Sequence, residues 1–532
     1  MSRFFRLENF KVDALKFAHL GAGIDDALIE PLGEIGGFSA VSEYHICRKS
    51  IDSRRGRPEL VYTLIVEAPE PPAFDGACEL SAEQAAEELA GAVYEIPECA
   101  PGAPQPIVVG AGPAGLFAGW VLAAAGMRPI ILERGKQVEE RALDVARFTA
   151  DRELDEHSNY LIGEGGAGTF SDGKLFTRGR DPRGAWILAR LVEAGAAKET
   201  LYLKRPHLGS DRLPGIVANM RRAIIALGGE FRFNSEVVGV QTEGGVCSGV
   251  RLASGESLSS PTVVIAVGLG ARGLTESLLK VAAAEPKGFQ IGCRIEHPQA
   301  FIDFRQYRSE TRADTLGAAE YNFVSPQVKG RLGASTFCMC PGGAVIPATT
   351  FSGELSTNGM SCFARDGKYA NSAIVVTPPR LDFPTAKAAF DLLSRLGRDC
   401  FNAGGGDYTF PAQDAEAFMR GEVALKDSNT GALTGLRAFD LNTLLPREAA
   451  RALNKALRVF DHKCPGFIAE GKLIGIESYV SSPMRFLRDE SGASTLGGLY
   501  FAGEGAGMAG GILSAAVDGM KIAEYIIGKY RK

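Results

Sequence analysis

Short apolar runs followed by glycine turns are the most regular pattern in this 532-residue chain. The run Ile107–Val109 leads through a glycine turn into an apolar helical stretch that ends near Ala125, and a second short run follows at 129–132. A similar strand, turn and helix return at 499–527. Short apolar runs bounded by turns are typical of strands that are buried on both faces. The pattern predicts a doubly wound, Rossmann-like α/β domain.

Other parts of the chain depart from that rhythm. Residues 1 to about 70 hold short strand-like runs, such as 61–66, among polar turns, and a proline-rich stretch at 97–106 indicates a boundary near residue 100. The stretch from 281 to 479 mixes glycine turns, short strands and helical segments such as 384–400. We therefore expect a small N-terminal α+β domain (1–99), the Rossmann-like domain in two parts (100–280 and 480–532), and an inserted α+β cap domain (281–479).

Composition narrows the class of protein. Apolar residues make up 45% of the chain and charged residues 23%, which is ordinary globular usage, and the formal net charge of -5 gives no general attraction to nucleic acid or anionic lipid. No signal peptide and no long apolar run stand out, so we expect a cytoplasmic protein without a membrane span. The ten cysteines are scattered and lack paired zinc-site spacing, so we expect reduced thiols and no metal.

The first glycine turn has the features of a dinucleotide site. Gly110 permits the tight turn, Gly112 lets the backbone approach a pyrophosphate, and Gly115 lets the helix pack on the strand. Glu133 ends the second strand, where an acidic side chain accepts hydrogen bonds from ribose hydroxyls. The predicted contacts of this turn are Gly110, Gly112, Pro113, Ala114, Gly115, Glu133 and Arg134. FAD and NAD both remain open here, because each carries an adenosine pyrophosphate.

The C-terminal strand, turn and helix separate FAD from NAD. Gly503 and Glu504 follow an apolar strand, and Gly511 and Ile512 open a second helix whose N-terminus can accept an anion. This arrangement resembles the C-terminal part of FAD enzymes with two dinucleotide-domain-like segments, where it meets the ribityl chain, the pyrophosphate and the flavin. The pairing of the two turns favours FAD.

A third glycine turn follows the strand at 263–267. Its Gly268 begins a formal dinucleotide motif, but no acidic residue ends a second strand about 20 residues later. We interpret the strand at 263–267 and its turn as a segment that returns the chain beneath the cofactor. The upstream stretch 230–240, with Val237 and Val238, is interpreted as a strand that walls the adenine.

With these motifs in place, the chain resembles flavoproteins of the glutathione-reductase-2 type, and more narrowly the family of FAD-dependent dehydrogenases. The likeness rests on the segment 163–178, on 337–343 and 357–361, and on the Gly503-Glu504 turn. It implies FAD as the cofactor and hydride transfer as the chemistry. Glu504 departs from the aspartate that many relatives use to bind the ribityl hydroxyl.

The glycine-rich segment 163–178 is interpreted as a loop in contact with the flavin, with a plain surface loop as the alternative. Glycines let backbone amides come close to a ligand, and the intervening side chains offer donors and charge. The predicted cofactor contacts of this segment are Gly165, Gly166, Thr169, Ser171, Asp172, Gly173 and Lys174. Lys174 is also a candidate catalytic residue, since its charge near the flavin N1/O2 edge or N5 would stabilise negative charge there.

Two further positions invite chemistry. Cys338 and Cys340 could form a redox dithiol, but only one residue separates them, which favours a packed strand that faces the flavin. His297 lies beside an arginine and a glutamate, Arg294 and Glu296. It is a candidate catalytic acid–base or carboxylate-binding residue, with a structural histidine as the alternative.

The leading hypothesis is an oxidoreductase that transfers a hydride between a small-molecule substrate and flavin N5, with the cap domain closing over the flavin and an unidentified electron partner. The absence of a recognisable nucleophile triad or metal constellation agrees with chemistry carried by the cofactor. A flavin-dependent RNA-modifying protein is the first alternative, because the stretch 48–57 is basic and includes Arg54, Arg55 and Arg57. A noncatalytic FAD-bound redox sensor or scaffold is the second.

Overall fold

The computed structural model describes residues 3–54, 57–90, 94–176, 181–309, 314–328, 332–378, 383 and 385–531. Parts of three segments discussed above lie outside these ranges. They are Arg55 of the basic stretch, Thr177 and Arg178 of the glycine-rich segment, and Pro384 of the expected helix at 384–400.

The secondary structure of the described ranges is mixed α/β. The strands are β1 (Arg3–Asp13), β2 (Glu43–Asp52), β3 (Glu59–Ala68), β4 (Ala77–Leu80), β5 (Ile107–Val109), β6 (Ile130–Leu132), β7 (Glu230–Arg232), β8 (Val237–Glu243), β9 (Val246–Leu252), β10 (Ser257–Ser259), β11 (Val263–Ile265), β12 (Ala284–Pro286), β13 (Ile291–Pro298), β14 (Val324–Ser325), β15 (Ala334–Cys340), β16 (Gly343–Pro347), β17 (Thr357–Ser361), β18 (Tyr369–Val376), β19 (Phe410–Asp414), β20 (Leu436–Ala438), β21 (Lys472–Glu477), β22 (Met484–Phe486) and β23 (Leu499–Phe501). The helices are α1 (Ile29–Gly36), α2 (Ala82–Ala90), α3 (Pro113–Ala124), α4 (Val138–Asp151), α5 (Arg183–Glu193), α6 (Leu213–Ala226), α7 (Arg272–Leu278), α8 (Gln299–Tyr307), α9 (Ala386–Gly404), α10 (Ala415–Arg420), α11 (Arg447–Lys463) and α12 (Ile512–Lys529).

A parallel sheet joins the two ends of the predicted Rossmann-like domain. Its strand order within the described ranges is β23-β11-β5-β6-β7, and β11 pairs in parallel with both β5 and β23. Each of these strands is short, and β5, β11 and β23 are buried throughout. The predicted strands at 107–109 and 129–132 and the return at 499–527 are confirmed, so one sheet is built from sequence segments almost 400 residues apart.

The two faces of this sheet are covered differently. One face packs on α3, α5, α6 and α12 in a single apolar core. The other face packs on the antiparallel sheet β10-β9-β8 and on α7. A doubly wound sheet with helices on both faces is therefore only part of the arrangement, because antiparallel strands replace most of the second helical layer.

The expected adenine-wall strand at 230–240 is split in two. β7 belongs to the parallel sheet, whereas β8 belongs to the antiparallel sheet on its second face. Asn234 lies between them with φ of 51°, a left-handed conformation that ends a strand, and its backbone N–H donates to Gly135 O at 3.0 Å. A turn thus sends the chain from one sheet to the other.

The stretch between β11 and β23 builds a second, largely antiparallel sheet with the order β14-β15-β18-β13-β21-β19-β20 in the described residues. The chain leaves and returns beside the short antiparallel pair β12 and β22. α11 packs on this sheet, and β16 and β17 form a hairpin next to it. The domain boundaries near 280 and 480 stay predictions, although this path agrees with an insertion.

The N-terminal segment forms an antiparallel sheet in the order β2-β3-β1-β4. Much of the basic stretch 48–57 lies in strand β2. Lys49 lies in β2, and its Nζ pairs with Asp25 Oδ1 at 2.6 Å, where Tyr62 and Tyr202 also donate to that carboxylate. The Lys49 N–H also donates to Tyr202 O at 2.9 Å, which attaches this sheet to the rest of the chain. Among the described residues, no helix combines the length and apolar character that a membrane span needs.

Candidate functional site

A cavity of about 670 Å³ lies where the parallel sheet meets the seven-stranded sheet. Ligand pockets of drug-sized molecules are typically about 300–1,000 Å³. Most of the predicted cofactor contacts share this cavity. Those that line it are Gly110, Gly112, Pro113, Ala114, Glu133, Gly166, Ser171, Asp172, Gly173, Lys174, Gly268, Gly503, Glu504, Gly511 and Ile512.

The first glycine turn is shaped by close backbone contacts. Gly110 has φ of 102°, and a Cβ there would lie 2.5 Å from Ala266 O of the neighbouring strand end. A Cβ on Gly115 would lie 1.9 Å from Gly110 O, so this position accepts only glycine without a backbone shift. Gly112 is the N-cap of α3 and has no capping side chain. The first amides of α3 are therefore free to bind an anion at the cavity edge.

Glu133 lies at the end of β6, where it was expected. It is 6% exposed, and its two oxygens accept hydrogen bonds from the N–H groups of Ala111 at 2.8 Å and Gly135 at 2.9 Å. A carboxylate has about four lone-pair positions, so acceptor capacity remains for ribose hydroxyls. The sequence reasoning missed that the same side chain also holds the glycine turn.

A smaller cavity of about 60 Å³ adjoins the main one and shares Gly110 and Glu133 with it. Arg134 and Val237 line this smaller cavity, which places them on the side where the adenine was expected. Val238 follows in β8 but lines neither cavity.

The glycine-rich segment docks on the first turn. Gly165 has φ of 82°, and its N–H donates to Ala111 O at 2.8 Å. A Cβ on Gly166 would lie 3.1 Å from Gly112 Cα, so the two glycines let the backbones approach each other. Thr169 points into the segment, and its Oγ1 donates to Glu164 O at 3.2 Å instead of lining the cavity.

A buried arginine that was not predicted from the sequence donates hydrogen bonds to the backbone of the glycine-rich segment. Arg141 of α4 is fully buried, and its guanidinium donates to Asn159 O at 2.8 Å and to Glu164 O at 2.6 Å. The Glu164 carboxylate accepts from Val138 N at 2.8 Å and pairs with Arg221 at 3.0 Å. Burial outweighs these contacts and raises the pKa of Glu164 to about 7.

Asp172 lies at the centre of a buried charge cluster. Its carboxylate accepts two hydrogen bonds from Arg365, at 2.9 and 2.5 Å, and lies 2.7 Å from Lys174 Nζ. Burial acts to raise the pKa of Asp172, but the charges of Lys174 and Arg365 outweigh it, so the pKa is well below its ordinary value. Arg365 also pairs with Glu320 at 2.9 Å. Sequence reasoning could not find Arg365, because it is 193 residues from Asp172 and lies in no recognised motif.

Lys174 lines the cavity, and its Nζ contacts Met339 O as well as Asp172. Burial alone would lower the pKa of this ammonium. The nearby Cys340 and Asp172 raise it overall, so the side chain keeps its positive charge. The structure therefore places a permanent cation between the glycine-rich segment and strand β15.

The C-terminal turn completes the cavity. Gly503 has φ of 78°, and its N–H donates to Asp518 Oδ2 of α12 at 2.8 Å. Glu504 lines the cavity, and its Oε1 accepts from Ser482 N at 2.8 Å. Burial raises the pKa of Glu504. Gly511 has φ of 84° and is the N-cap of α12, which has no capping side chain, so a second set of helix amides is available to an anion.

The structure does not bring His297 to this cavity. The side chain is fully buried in β13, its Nε2 is 2.8 Å from Phe467 O, and it packs against the rings of Phe301, Tyr321 and Phe467. Burial lowers the pKa of His297 to about 4, so the ring is neutral near physiological pH. These contacts are those of a structural histidine, the alternative stated above.

The described residues fit FAD. Two helix N-termini without capping side chains face one cavity, as a pyrophosphate and a polar chain require, and glycines keep the backbone close to it. Glu133 offers carboxylate acceptors at one end, and Lys174 offers a cation nearer the seven-stranded sheet. An NAD site would need only the first of these turns.

Comparison with known proteins agrees with this geometry. The family model of the FAD-dependent protein C-terminal domain matches residues 288–480. A protein of Clostridium beijerinckii described as uncharacterized is 40% identical over 433 residues, which are 80% of this chain and 81% of that protein.

Similar solved structures are more distant. The flavin-dependent brominase Bmp2 is 12% identical and has a TM-score of 0.38, with 80% of this chain and 79% of that chain covered. A geranylgeranyl bacteriochlorophyll reductase-like protein of Thermoplasma acidophilum is 13% identical with a TM-score of 0.34, over 80% and 82% of the two chains. At TM-scores below 0.5 these likenesses add nothing to the assignment. The chain belongs to the same family as the Clostridium beijerinckii protein, its residues 288–480 match the C-terminal domain-like model of FAD-dependent proteins, and FAD is its cofactor.

Proposed function

We propose that the protein is an FAD-dependent oxidoreductase of the glutathione-reductase-2 type, a dehydrogenase or reductase that acts on a small molecule. The observation that carries the proposal is that both glycine turns and side chains of the seven-stranded sheet line the same cavity of about 670 Å³. When bound, FAD would supply hydride transfer at its N5. The residues of the protein would bind FAD, orient the substrate toward it and exclude water from the cavity.

The residues that would hold FAD follow from the contacts above. The first amides of α3, at Gly112 and Ala114, would bind the pyrophosphate, and Glu133 would accept from the ribose. Arg134 and Val237 would flank the adenine, with Val238 next to them in β8 but outside both cavities. The remaining predicted contacts that line the cavity would meet the ribityl chain and the ring system, namely Gly166, Ser171, Asp172, Gly173, Lys174, Gly268, Gly503, Glu504, Gly511 and Ile512. Gly165 and Thr169 would instead hold the glycine-rich segment in place, through Ala111 O and Glu164 O.

Lys174 would act electrostatically. Its ammonium is held by Asp172 and Met339 O at the cavity wall, so its position is set before any ligand binds. A fixed cation stabilises negative charge that develops nearby, and it does so more strongly where water is excluded. His297 is assigned no part in this function, since it does not line the cavity.

The segment 281–479 would choose the substrate. Its contributions to the cavity wall include Tyr321, Asn358 and Tyr479, which offer hydroxyl and amide groups. Arg205 reaches the same cavity from the stretch before α6 and is half-exposed. These groups suit a polar small molecule that lies between the flavin and the seven-stranded sheet.

The described contacts do not favour the two alternatives. Lys49 and Arg54 of the basic stretch pair with Asp25 and Asp52, so their charges are compensated within the chain. A noncatalytic scaffold would have no need for the polar wall that Tyr321 and Asn358 supply beside the flavin site. We retain one proposal, the oxidoreductase.

The test is an anaerobic screen of the purified protein. The oxidised holoprotein is mixed with a library of polar metabolites and with reduced nicotinamide cofactors, and bleaching of the visible flavin absorption is recorded. We expect bleaching by one class of compound, and we expect Lys174→Gln to slow it while FAD stays bound. A protein whose bound flavin no compound reduces, and which no acceptor reoxidises after photoreduction, would contradict the oxidoreductase proposal.

A further inference from the structure

Strand β15 is distorted where it reaches the cavity. Phe337 pairs with Ala373 of β18, but Cys340 pairs with Asn371, so β15 carries one extra residue over this interval. Cys338 lies in this bulge with φ of 46°, a left-handed conformation that is unfavourable for a side chain other than glycine, asparagine or aspartate. Bulges of this kind occur next to active sites, where they redirect a side chain.

The bulge brings two thiols together. The Cys340 thiol donates to the carbonyl oxygen of Cys338 at 3.4 Å, and its one proton can turn instead to the Cys338 sulfur when that sulfur is a thiolate. Cys338 lines the cavity and is partly accessible, whereas Cys340 is buried behind it. Both are free thiols. The pair therefore has an outer sulfur that a ligand can reach and an inner sulfur that only its neighbour can reach.

The charges around the outer sulfur favour its thiolate. The hydrogen bond from Cys340 lowers the pKa of Cys338, and the cations Lys174 and Arg294 lower it further, against burial and the carboxylate of Asp172. The pKa of Cys340 is raised, first because it donates to Cys338 and also by burial. A thiolate beside a protonated thiol is the arrangement that thiol–disulfide exchange needs.

Two other buried cysteines show what a purely structural thiol looks like here. Burial is the largest cause that raises the pKa of both Cys293 and Cys400. Neither lines the cavity, and no nearby cation contributes to either shift. Cys338 differs from these structural cysteines because it lies in a bulge, lines the cavity and is close to the cations Lys174 and Arg294.

We propose that Cys338 and Cys340 form a redox-active dithiol that reduces a small disulfide entering the cavity. The Cys338 thiolate attacks one sulfur of the disulfide, a mixed disulfide forms on Cys338, and one thiolate leaves and takes up a proton. Cys340 then loses its proton and attacks the Cys338 sulfur, which releases the second thiol and leaves a Cys338–Cys340 disulfide. The dithiol is oxidised by two electrons, and the small disulfide is reduced to two thiols.

This inference goes beyond the proposed function, because every bond change occurs between sulfur atoms and none requires the flavin. Failure of this inference can also be distinguished from failure of the proposed oxidoreductase function. A holoprotein that retains FAD and is reduced by a metabolite, but shows no exchange at Cys338, would overturn this inference alone.

In the test, holoprotein whose cysteines are in the thiol form is treated with bis(2-hydroxyethyl) disulfide. After acid quenching, the state of each cysteine is mapped by peptide mass spectrometry. The wild-type protein is expected to form the Cys338–Cys340 disulfide and to release the thiol. Cys340→Ser is expected to trap the mixed disulfide on Cys338, and Cys338→Ser is expected to abolish both products. Absence of the internal disulfide in the wild type, with no adduct in Cys340→Ser, would overturn the proposal.

A second measurement does not depend on either cysteine variant. Iodoacetamide is expected to alkylate Cys338 of the wild-type holoprotein about tenfold faster than the exposed Cys78 near neutral pH, because the thiolate is the reactive form. Lys174→Gln should move the pH profile of Cys338 alkylation upward, whereas Lys387→Gln, an exposed lysine on α9, should not. Equal alkylation of Cys338 and Cys78, or an unchanged profile in Lys174→Gln, would count against the thiolate.

Discussion

Replacing Asp172 by asparagine tests the charge cluster on which the glycine-rich segment depends. The carboxylate is 1% exposed and holds two cations, Arg365 through two hydrogen bonds and Lys174 at 2.7 Å. Removing one partner of a buried ion pair costs about 3–5 kcal/mol, because the other charge stays buried and unpaired. Arg365 keeps Glu320 at 2.9 Å, so we expect a loss near the lower end, about 3 kcal/mol.

The assay is urea unfolding of the holoprotein, followed by tryptophan fluorescence and by flavin release. Asp391→Asn is the matched control, since Asp391 pairs with Lys387 on the exposed side of α9 and such pairs contribute about 0.5 kcal/mol or less. The stabilisation by Asp172 should also depend on pH. Because the folded pKa of Asp172 is depressed, its contribution is present above the ordinary value of 3.8 and is lost as pH falls toward the folded pKa. An Asp172→Asn protein no less stable than Asp391→Asn would show that the buried carboxylate does not stabilise the fold.

Two further predictions concern buried groups. The pKa of Glu164 in the folded protein is raised from 4.5 to about 7, so the folded state loses stability as pH rises through this window and the side chain ionises. Glu164→Gln should flatten that decline, measured as urea unfolding midpoints between pH 4.5 and 7. An unchanged slope would contradict the raised pKa of Glu164. His297→Ala should lower the free energy of unfolding by about 2–4 kcal/mol, since it leaves a cavity and an unpaired Phe467 carbonyl. The FAD spectrum and flavin reduction should stay unchanged in this variant, and lost reduction at full FAD occupancy would restore His297 as a catalytic residue.

The parts of the fold that could be predicted from the sequence are those specified by local geometry. A three-residue apolar strand, glycines at 110, 112 and 115, and an acid at 133 each meet a requirement of the same turn, so their spacing is informative by itself. The return at 503–512 obeys the same physics. For this reason the strands at 107–109, 129–132 and 499–501 and the two turns could be predicted from the sequence.

The parts that could not be predicted depend on contacts between distant segments. Arg365 reaches Asp172 only because the seven-stranded sheet packs against the glycine-rich segment, and Arg141 is one of many arginines until the fold buries it. Asn234 divides the stretch 230–240 by a left-handed turn, which the sequence pattern alone does not reveal. The bulge at Cys338 likewise depends on the register of β15 against β18, which the one-residue spacing of the cysteines does not reveal.

Both glycine turns are expected to hold the same FAD in one cavity. Calorimetric titration of the apoprotein with FAD tests it most directly, with one substitution in each turn. Gly115→Ala places a Cβ 1.9 Å from Gly110 O, and Gly503→Ala places one 2.9 Å from Ala114 Cβ at a φ of 78°. Strain of about 1–3 kcal/mol at either turn would weaken binding roughly 5- to 150-fold.

Gly528→Ala in α12 is the control, because a Cβ there meets no described atom within 4 Å, and circular dichroism checks that each variant is folded. We expect one FAD per wild-type and Gly528→Ala chain, and weaker binding by both turn variants. A folded Gly503→Ala protein that binds FAD as tightly as the wild type, while Gly115→Ala does not, would contradict it.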